Sequence, residues 1–397
     1  MTAPAIGPSE ALAAMFTPEG KRDPYPLYEA LRELGQVQSL GPDLTLVLGY
    51  EECAAALRDQ RLLVTDAAVH TRTGMLEHSS WQCFTKIMMF SNEPDHERLR
   101  RFSRAAYSTK SVDALKPRVE RIAADLVGRL DPSGPVDLVG EYTFRLPITV
   151  TAELLGIPID DARALRPAIT ACTTAFEPIL ELDELRPGDA GMDVLTDYLT
   201  ELVRHKREHP GDDLASSMVR DRDATGSISE EELVAGLVMF LIAGAQTPSD
   251  LLGNVVRLAV RERAALDQDT TPAFVQEVLR HEPPIHALTR IAATDLDLAG
   301  HSLRAGSRVL LVLAAANRDA RRFPDPARFD VGRADNQPIA FGLGLHYCLG
   351  AALARMQTEV AVAALFQAFP GVRQVGEPEY RAQLVQRGLM RFEVTLR

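Results

Sequence analysis

The most informative stretch of this sequence is residues 341–350, Phe-Gly-Leu-Gly-Leu-His-Tyr-Cys-Leu-Gly. The residues from Ala351 onward have a strongly helical pattern, so Cys348 is placed just before the start of a helix. Unpaired N–H groups and the dipole at a helix start favour a thiolate. The two glycines before the cysteine permit a tight bend and a close approach to a flat ligand, and Gly350 leaves room on the same side. The arrangement predicts a metal-binding thiolate.

An inert thiol, a dinucleotide site and a covalent haem site each fit this loop less well. An isolated cysteine beside a glycine turn is more often an inert buried thiol, but here the surrounding residues form a longer pattern. A dinucleotide-binding GxGxxG loop would need glycine at the position of Tyr347. Covalent haem attachment would need a CxxCH motif, which the sequence lacks. A single thiolate is instead how a protein holds haem iron for oxygen activation, because sulfur pushes electron density onto the metal.

The full pattern FGxGxHxCxG resembles the haem-binding loop of bacterial cytochromes P450, which are soluble haem-thiolate monooxygenases. Features similar to this family extend from Asp23 to Arg387, nearly the whole chain. The resemblance implies a mainly α fold with a small β region, built as one triangular, helix-rich P450 domain over residues 1–397. It also implies haem b as cofactor, with Cys348 as the proximal iron ligand. Within the domain we expect a flexible N-terminus over residues 1–20 and a substrate lid over residues 70–92.

Composition sets limits on the partners of the chain. The 397 residues are 46% hydrophobic and 25% charged, which is typical of a globular protein with a large core. The net charge of −12 argues against a nucleic-acid partner. The four cysteines are irregularly spaced and include no CxxC pair, so neither a disulfide framework nor a zinc site is indicated. No signal peptide is visible, and the apolar run Leu233–Ala245 is too short to span a membrane. We expect a soluble, cytoplasmic, monomeric protein.

The periodicity of apolar residues predicts a helix-rich chain. A hairpin is expected from strands at 36–40 and 44–48, and further strands at 308–313 and near 392–396. Residues 70–92 show no regular pattern, which is typical of a functional loop. Helices are predicted at 27–34, 51–58, 96–106, 111–130, 141–155, 160–179, 191–208 and 230–260.

Glu277 and Arg280 are one helical turn apart, so their side chains lie on one face and can pair. An isolated ExxR motif is more often a solvent-facing ion pair. By resemblance, this one corresponds to a buried structural pair of the family, joined by an arginine from a downstream loop. Arg328 fits that third position. The resemblance implies that the trio braces the loop that carries Cys348.

A long helix is predicted to begin with a capping box formed by Ser229 and Glu232. Pro248 cannot donate to the carbonyl of Gly244, so we expect a kink that frees this carbonyl beside the Thr247 hydroxyl. A simple packing kink would leave the same pattern.

By resemblance, this helix crosses the oxygen-binding face of the haem, and Thr247 helps deliver protons to dioxygen. The family usually has an acidic residue directly before the threonine, whereas this chain has Gln246, which cannot ionise. Thr247, Gln246 and Gly244 are the predicted catalytic residues. We expect that Gln246→Glu retains haem binding and changes oxygen-consuming turnover or its coupling to product.

The resemblance also assigns residues to the haem itself. His96, Arg100, Arg290 and His346 match the family's contacts to the propionates, and Phe341, Gly342 and Gly350 complete the predicted cofactor-binding set. Each of these cationic or donor groups, taken alone, is more often a surface charge or a satisfied histidine. Substrate contacts are expected from residues 70–90, 172–180, 237–242, 285–289 and 385–389, although core packing explains any one of these side chains equally well.

The predicted function is insertion of one oxygen atom from O2 into an organic substrate, by resemblance in polyketide or aromatic secondary metabolism. The substrate is either free or bound to a carrier protein. The sequence has no dinucleotide-binding fingerprint and no flavin domain, so electrons are expected from a separate ferredoxin and its NAD(P)H-dependent reductase. One alternative is a peroxide-driven peroxygenase, prompted by Gln246. Another is a haem-dependent sensor without turnover.

Overall fold

The computed structural model describes residues 7–41, 43–104, 106–177 and 181–397. Its α-helices are α1 (Pro8–Met15), α2 (Pro18–Arg22), α3 (Tyr25–Glu33), α4 (Tyr50–Arg58), α5 (Ala67–Arg72), α6 (Ser79–Phe84), α7 (Asp95–Arg104), α8 (Thr109–Val127), α9 (Arg145–Leu155), α10 (Ile159–Ala164), α11 (Arg166–Cys172), α12 (Arg186–Glu208), α13 (Leu214–Thr225), α14 (Glu230–Glu262), α15 (Thr271–His281), α16 (Leu313–Ala316) and α17 (Ala351–Ala368). Short 3-10 helices occur at Met75–Glu77, Met88–Phe90, Thr173–Phe176, Leu182–Leu185 and Gly344–His346, and a π-helix at Val139–Thr143.

The strands are short. They are β1 (Val37–Ser39), β2 (Leu44–Val47), β3 (Leu62–Leu63), β4 (Val136–Asp137), β5 (Leu288–Ala292), β6 (Leu296–Leu298), β7 (His301–Leu303), β8 (Arg308–Leu311), β9 (Arg373–Gln374), β10 (Glu379–Tyr380), β11 (Leu389–Arg391) and β12 (Glu393–Thr395). The largest sheet has the order β1-β2-β8-β5-β3, in which only β2 and β8 are parallel.

The chain divides into two compact units. The sheet unit comprises the residues up to Arg72 together with Gln276–Cys348 and Tyr380–Arg387, and it contains the five-stranded sheet. The helical unit comprises Thr73–Val275, Leu349–Glu379 and Gly388–Arg397, and it contains most of the helices. The assignment of residues 1–397 to one domain stays a prediction.

The core of the helical unit forms around α14. Ser229 caps this helix as predicted: its side chain accepts from the N–H of Glu232, and the Glu232 carboxylate accepts from the N–H of Ser229. Most α14 side chains from Leu233 to Ala259 are buried. The helix is long and apolar enough to cross a membrane, but most of that stretch is buried inside the protein, as in a core helix.

Most predicted elements are confirmed with ends shifted by a few residues. The predicted hairpin is confirmed, because β1 and β2 pair antiparallel with Val37 opposite Val47. Pro42, which stands between the two strands in the sequence, lies outside the described residues. The helix predicted at 160–179 is wrong as a single element: it divides into α10, α11 and a 3-10 turn, and residues 178–180 lie outside the described residues.

Two local predictions need correction. Residues 70–92 are not irregular, because α6 and two 3-10 helices occupy most of that segment. Each of these pieces is too short for a helical repeat to show in the sequence. The helix α13 was not predicted, because its buried residues are mostly contiguous from Leu214 to Val219 rather than spaced by a helical repeat.

The N-terminal segment 1–20, expected to be flexible, is described from Gly7 onward. Helices α1 and α2 lie in it, and Ala11 and Met15 are buried. Residues 1–6 lie outside the described residues.

Candidate functional site

The loop before Cys348 has the tight geometry that its glycines predict. Gly342 and Gly344 have φ angles of 69° and 71°, in the left-handed region that favours glycine. The backbone N–H of Cys348 donates to the carbonyl of Phe341 at 3.0 Å, which closes the loop. The Cys348 side chain is exposed, and α17 begins three residues later with Gly350 as its N-cap. The loop therefore presents its thiol at the start of a helix.

Glu277 and Arg280 form the predicted buried pair, and both side chains are 0% exposed. The guanidinium donates to both carboxylate oxygens, at 2.8 Å from Nε and 2.6 Å from Nη2. The carboxylate also accepts from the N–H of Asp330 at 2.8 Å and from Nδ2 of Asn336 at 2.9 Å. Because four donors satisfy Glu277, its charge is tolerated in the interior.

The third arginine of this cluster is Arg333, and the prediction of Arg328 is wrong. Arg328 is exposed, and it contributes its backbone carbonyl, which accepts from Arg280 at 3.0 Å. The Arg333 side chain is 7% exposed and lies 3.6 Å from Glu277. It donates to the carbonyls of Pro324, at 2.6 Å, and Arg328, at 3.1 Å. The two arginines are close in sequence, and only the path of the loop decides which one turns inward.

A chain of hydrogen bonds connects this brace to the cysteine loop. Arg280 donates to the carbonyl of Asn317 at 3.2 Å, and the Asn317 side chain accepts from the N–H of Ile339 at 2.8 Å. The carbonyl of Ile339 accepts from the N–H of Gly342 at 2.9 Å. The brace therefore fixes the backbone that leads into residues 341–350, as the resemblance implies.

In the helical unit, the middle of α14 carries an uncovered strip within an otherwise buried helix. Ala243 is exposed, and Gly244 and Thr247 are half-buried. A Cβ at Gly244 would lie 2.6 Å from Oγ1 of Thr151, so glycine is needed for the packing of α9 on α14. The helix continues through Pro248 without interruption, and the kink there stays a prediction.

Gln246 faces away from that strip and is 3% exposed. Its Oε1 accepts from the hydroxyl of Thr170 in α11 at 3.2 Å, and its Nε2 donates to Oδ1 of Asp250 at 3.2 Å. Asp250 is 2% exposed. The amide thus connects α11 to a buried carboxylate one turn further along α14.

Arg290 is a buried cation in the sheet unit, 5% exposed, on strand β5. Burial lowers the pKa of its guanidinium to about 10. Among the described residues its hydrogen-bond partner is the carbonyl of Thr289, at 2.9 Å, and no carboxylate pairs with it. A buried guanidinium without a counter-ion is suited to an anionic ligand.

The other predicted donors are placed as follows. His96, in α7, is 2% exposed, and its Nδ1 lies 3.1 Å from Oε1 of Glu93. Arg100, on the same helix, is half-buried, and so is His346 in the cysteine loop.

Residues 81–90 pack within the helical unit through aromatic rings. Phe84 stacks on Phe176 with centroids 4.9 Å apart, and Phe90 stacks on Phe84 at 5.3 Å. Trp81 contacts both Phe84 and Phe90. The rings form a continuous apolar surface, of which Phe90 and Phe176 are only half-buried.

Asp189, in the first turn of α12, anchors the start of α6. One carboxylate oxygen accepts from the N–H and the hydroxyl of Ser80, at 3.0 and 2.6 Å, and the other lies 2.6 Å from Nδ1 of His78. Neither Asp189 nor Asp250 was singled out from the sequence. The sequence does carry a signal for a buried carboxylate at Asp250, because this residue follows Gln246 by one helical turn inside a buried helix.

Three comparisons identify the family. The family model described as Cytochrome P450 matches residues 267–381. Vitamin D(3) 25-hydroxylase of Pseudonocardia autotrophica is 36% identical over 391 residues, covering 94% of each chain. The chain belongs to the cytochrome P450 family. 6-Deoxyerythronolide B hydroxylase of Saccharopolyspora erythraea is 34% identical, covering 94% of this P450 and 96% of the relative. The crystal structure of Mycobacterium smegmatis CYP164A2 in the ligand-free state has a TM-score of 0.90 and 31% identity, covering 97% and 99% of the two chains.

These findings confirm the P450 fold and the assignment to bacterial P450 monooxygenases. The cofactor of the family is haem b. Two residues of the sheet unit fit that group: Cys348 offers an exposed thiol, and the buried guanidinium of Arg290 is suited to a carboxylate.

Proposed function

We propose that this P450 inserts one oxygen atom of O2 into a large, mainly apolar organic molecule, with Cys348 as the iron ligand. Two electrons and two protons reduce the second oxygen atom to water, so that RH and O2 become ROH and H2O. The observation that carries the proposal is the exposed Cys348 thiol in a glycine-shaped loop that fits the family pattern. When bound, haem supplies the oxygen-activating chemistry, because thiolate ligation favours O–O cleavage.

The remaining predicted contacts hold the cofactor. Arg290 would neutralise a propionate, which would give its buried guanidinium the anionic partner that it lacks among the described side chains. His96, Arg100 and His346 would supply the further propionate donors. Phe341, Gly342 and Gly350 would complete the cofactor-binding set, and the positive φ of Gly342 suits a residue without a side chain.

Proton movement is the task of α14. Thr247 is half-buried on the uncovered strip, and its backbone belongs to the core helix. The Thr247 hydroxyl would pass protons toward the oxygen under reduction, and the Gly244 carbonyl would be the neighbouring acceptor. Gln246 cannot ionise, and its amide is already engaged by Thr170 and Asp250.

The substrate proposal rests on relatives and on the aromatic surface. Two relatives are a vitamin D(3) 25-hydroxylase and a 6-deoxyerythronolide B hydroxylase. Phe90 and Phe176 offer a half-buried aromatic surface suited to a large, mainly apolar molecule. We place the reaction in the tailoring of a secondary metabolite, polyketide or aromatic, with the substrate free or carrier-bound. Electrons come from a separate ferredoxin and its reductase, and the protein works as a cytoplasmic monomer.

The iron-ligand assignment is tested with carbon monoxide. Reduced wild-type holoprotein should show the red-shifted Soret band of a thiolate-ligated haem, and Cys348→Ala should lose it. Cys83→Ala is the matched control, because this half-buried thiol belongs to α6 and not to the cysteine loop, so its substitution should leave the band intact. Survival of the red-shifted band in Cys348→Ala would refute the assignment.

The substrate class is tested by titration of the ferric protein with vitamin D3, a macrolactone such as 6-deoxyerythronolide B, and myristic acid. A spin-state change with either multi-ring or macrocyclic probe, stronger than with the fatty acid, is expected. A response to the fatty acid alone would contradict the proposed class.

A further inference from the structure

A row of polar side chains follows one face of α14 through the core of the helical unit. Gln246, Asp250, Asn254 and Arg257 are 3%, 2%, 0% and 8% exposed. Their spacing of four, four and three residues places them on one side of the helix. Buried polar groups are unfavourable unless they are paired, so a core helix keeps such a row only where its polarity has a role.

The hydrogen bonds fix the orientation of the first two members. The Gln246 carbonyl accepts from Thr170 at 3.2 Å, which turns its NH2 group toward Asp250, also at 3.2 Å. The opposite orientation would place the NH2 group against the Thr170 hydroxyl and the carbonyl oxygen against a carboxylate oxygen. Gln246 therefore acts as a fixed donor that holds Asp250 Oδ1 in place.

Asp250 is better directed toward Thr247 than position 246 is. With 100° per residue, position 246 lies about 100° from Thr247 around the helix, and Asp250 lies about 60° away. Asp250 is about 4.5 Å further along the axis, within the reach of neighbouring side chains at i and i+3. A buried carboxylate thus lies on α14 within one helical turn of Thr247.

A buried hydroxyl also lies near this part of α14. Gly253 is about 60° from Asp250 around the helix, on the side away from Thr247. A Cβ there would lie 3.4 Å from Cδ1 of Leu389 and 3.9 Å from Oγ1 of Thr143. Thr143, at the end of the π-helix, is 1% exposed, and within the described part of the chain its hydroxyl has no hydrogen-bond partner. A buried hydroxyl of this kind is a site at which a bound water pairs.

We propose that Asp250 supplies protons to the Thr247 hydroxyl and that Gln246 and Thr170 position it; this rests on the proposed function. In each cycle the Asp250 carboxylate would take a proton from solvent and give it to the Thr247 oxygen as the threonine proton moves toward the oxygen under reduction. This transfer returns Asp250 to its carboxylate form. Asp250 is a positioning residue that acts through Thr247.

The test compares Asp250→Asn, Gln246→Glu and the double variant in the holoprotein. Oxygen reduction is driven by NADPH with spinach ferredoxin and ferredoxin reductase, and peroxide use is followed by guaiacol oxidation with H2O2. Asp250→Asn should slow NADPH-driven oxygen reduction at least about a hundredfold, the lower end of the range for general acid–base catalysis, while guaiacol oxidation changes less than about twofold, because peroxide brings its own protons. Ser249→Ala, on the same helix and 3% exposed, is the control and should change neither rate.

Two double variants distinguish a role of Asp250 in proton transfer from a structural role. The double variant Gln246→Glu/Asp250→Asn should recover at least about a third of the wild-type rate, because it restores a carboxylate one turn earlier. In a Thr247→Val background, Asp250→Asn should have no further effect, since it acts through that hydroxyl. The C–O stretching band of the reduced carbon monoxide complex should shift in Asp250→Asn and stay unchanged in Ser249→Ala.

Equal losses in the oxygen-driven and peroxide-driven assays, a wild-type rate in Asp250→Asn, or no recovery in the double variant would each overturn the inference. These results are distinguishable from failure of the proposed function. A wild-type protein without the red-shifted carbon monoxide band would refute the function itself, whereas a normal band with an unaffected Asp250→Asn variant refutes only the role of Asp250.

Discussion

Replacement of Glu277 by glutamine should be among the most damaging single changes in this P450 outside the cofactor loop. The carboxylate is 0% exposed, and each of its oxygens accepts two hydrogen bonds. An amide has only one accepting oxygen, so in either orientation its NH2 group meets two donors. Arg280 is then left as a buried cation without a counter-charge. Breaking a buried ion pair from one side costs about 3–5 kcal/mol.

A matched control is available within the same chain. Glu201 and Arg204 on α12 are also a glutamate and an arginine three residues apart, but their side chains are 64% and 59% exposed. Glu201→Gln should leave the free energy of unfolding almost unchanged, because an exposed ion pair is screened by solvent.

Urea unfolding followed by circular dichroism measures the free energy of unfolding of both variants. The haem content after expression reports on the cysteine loop, which the brace supports. We expect a much lower urea midpoint and reduced haem incorporation for Glu277→Gln alone. Equal midpoint shifts in Glu277→Gln and Glu201→Gln would refute the reasoning that burial makes the difference.

Two further predictions concern the sheet unit, to which Glu277 belongs. Arg333→Met should lower the free energy of unfolding by about 2 kcal/mol, the loss expected for charged hydrogen bonds. Arg328→Met should lie within about 0.5 kcal/mol of wild type, because that side chain is exposed. The order of the two urea midpoints checks this prediction. Burial, together with the nearby charge of Arg318, lowers the pKa of His281 to about 3. The neutral ring donates from Nε2 to the carbonyl of Ala327 at 3.0 Å and accepts at Nδ1 from Arg318 at 2.9 Å. The unfolded histidine binds a proton below about pH 6.5 and the folded one does not, so stability falls with falling pH, by about 2 kcal/mol between pH 6.5 and 5. In His281→Gln this part of the pH dependence of the urea midpoint should vanish, and an unchanged slope would contradict the assignment.

Local signals in the sequence predicted the parts of the site that depend on neighbouring residues. The glycines at 342 and 344 have the left-handed backbone that the motif requires, and Ser229 and Glu232 form their capping box. The Glu277–Arg280 pair is three residues apart on one helix, so its geometry follows from the helical repeat. Such features depend on residues only a few positions apart, so they can be predicted without the rest of the chain.

Long-range packing decided the parts of the site that these local signals did not predict. Arg328 and Arg333 belong to one loop, and only the path of that loop turns Arg333 toward Glu277 and leaves Arg328 in solvent. The anchors of Gln246 come from α11 and from one turn further along α14, which identifies Asp250 as a buried carboxylate rather than a surface acid. The sequence alone thus determined the family pattern around Cys348 and the missing acid at Gln246. Only the tertiary structure showed where a replacement carboxylate lies, because burial and hydrogen bonding depend on segments far apart in the chain.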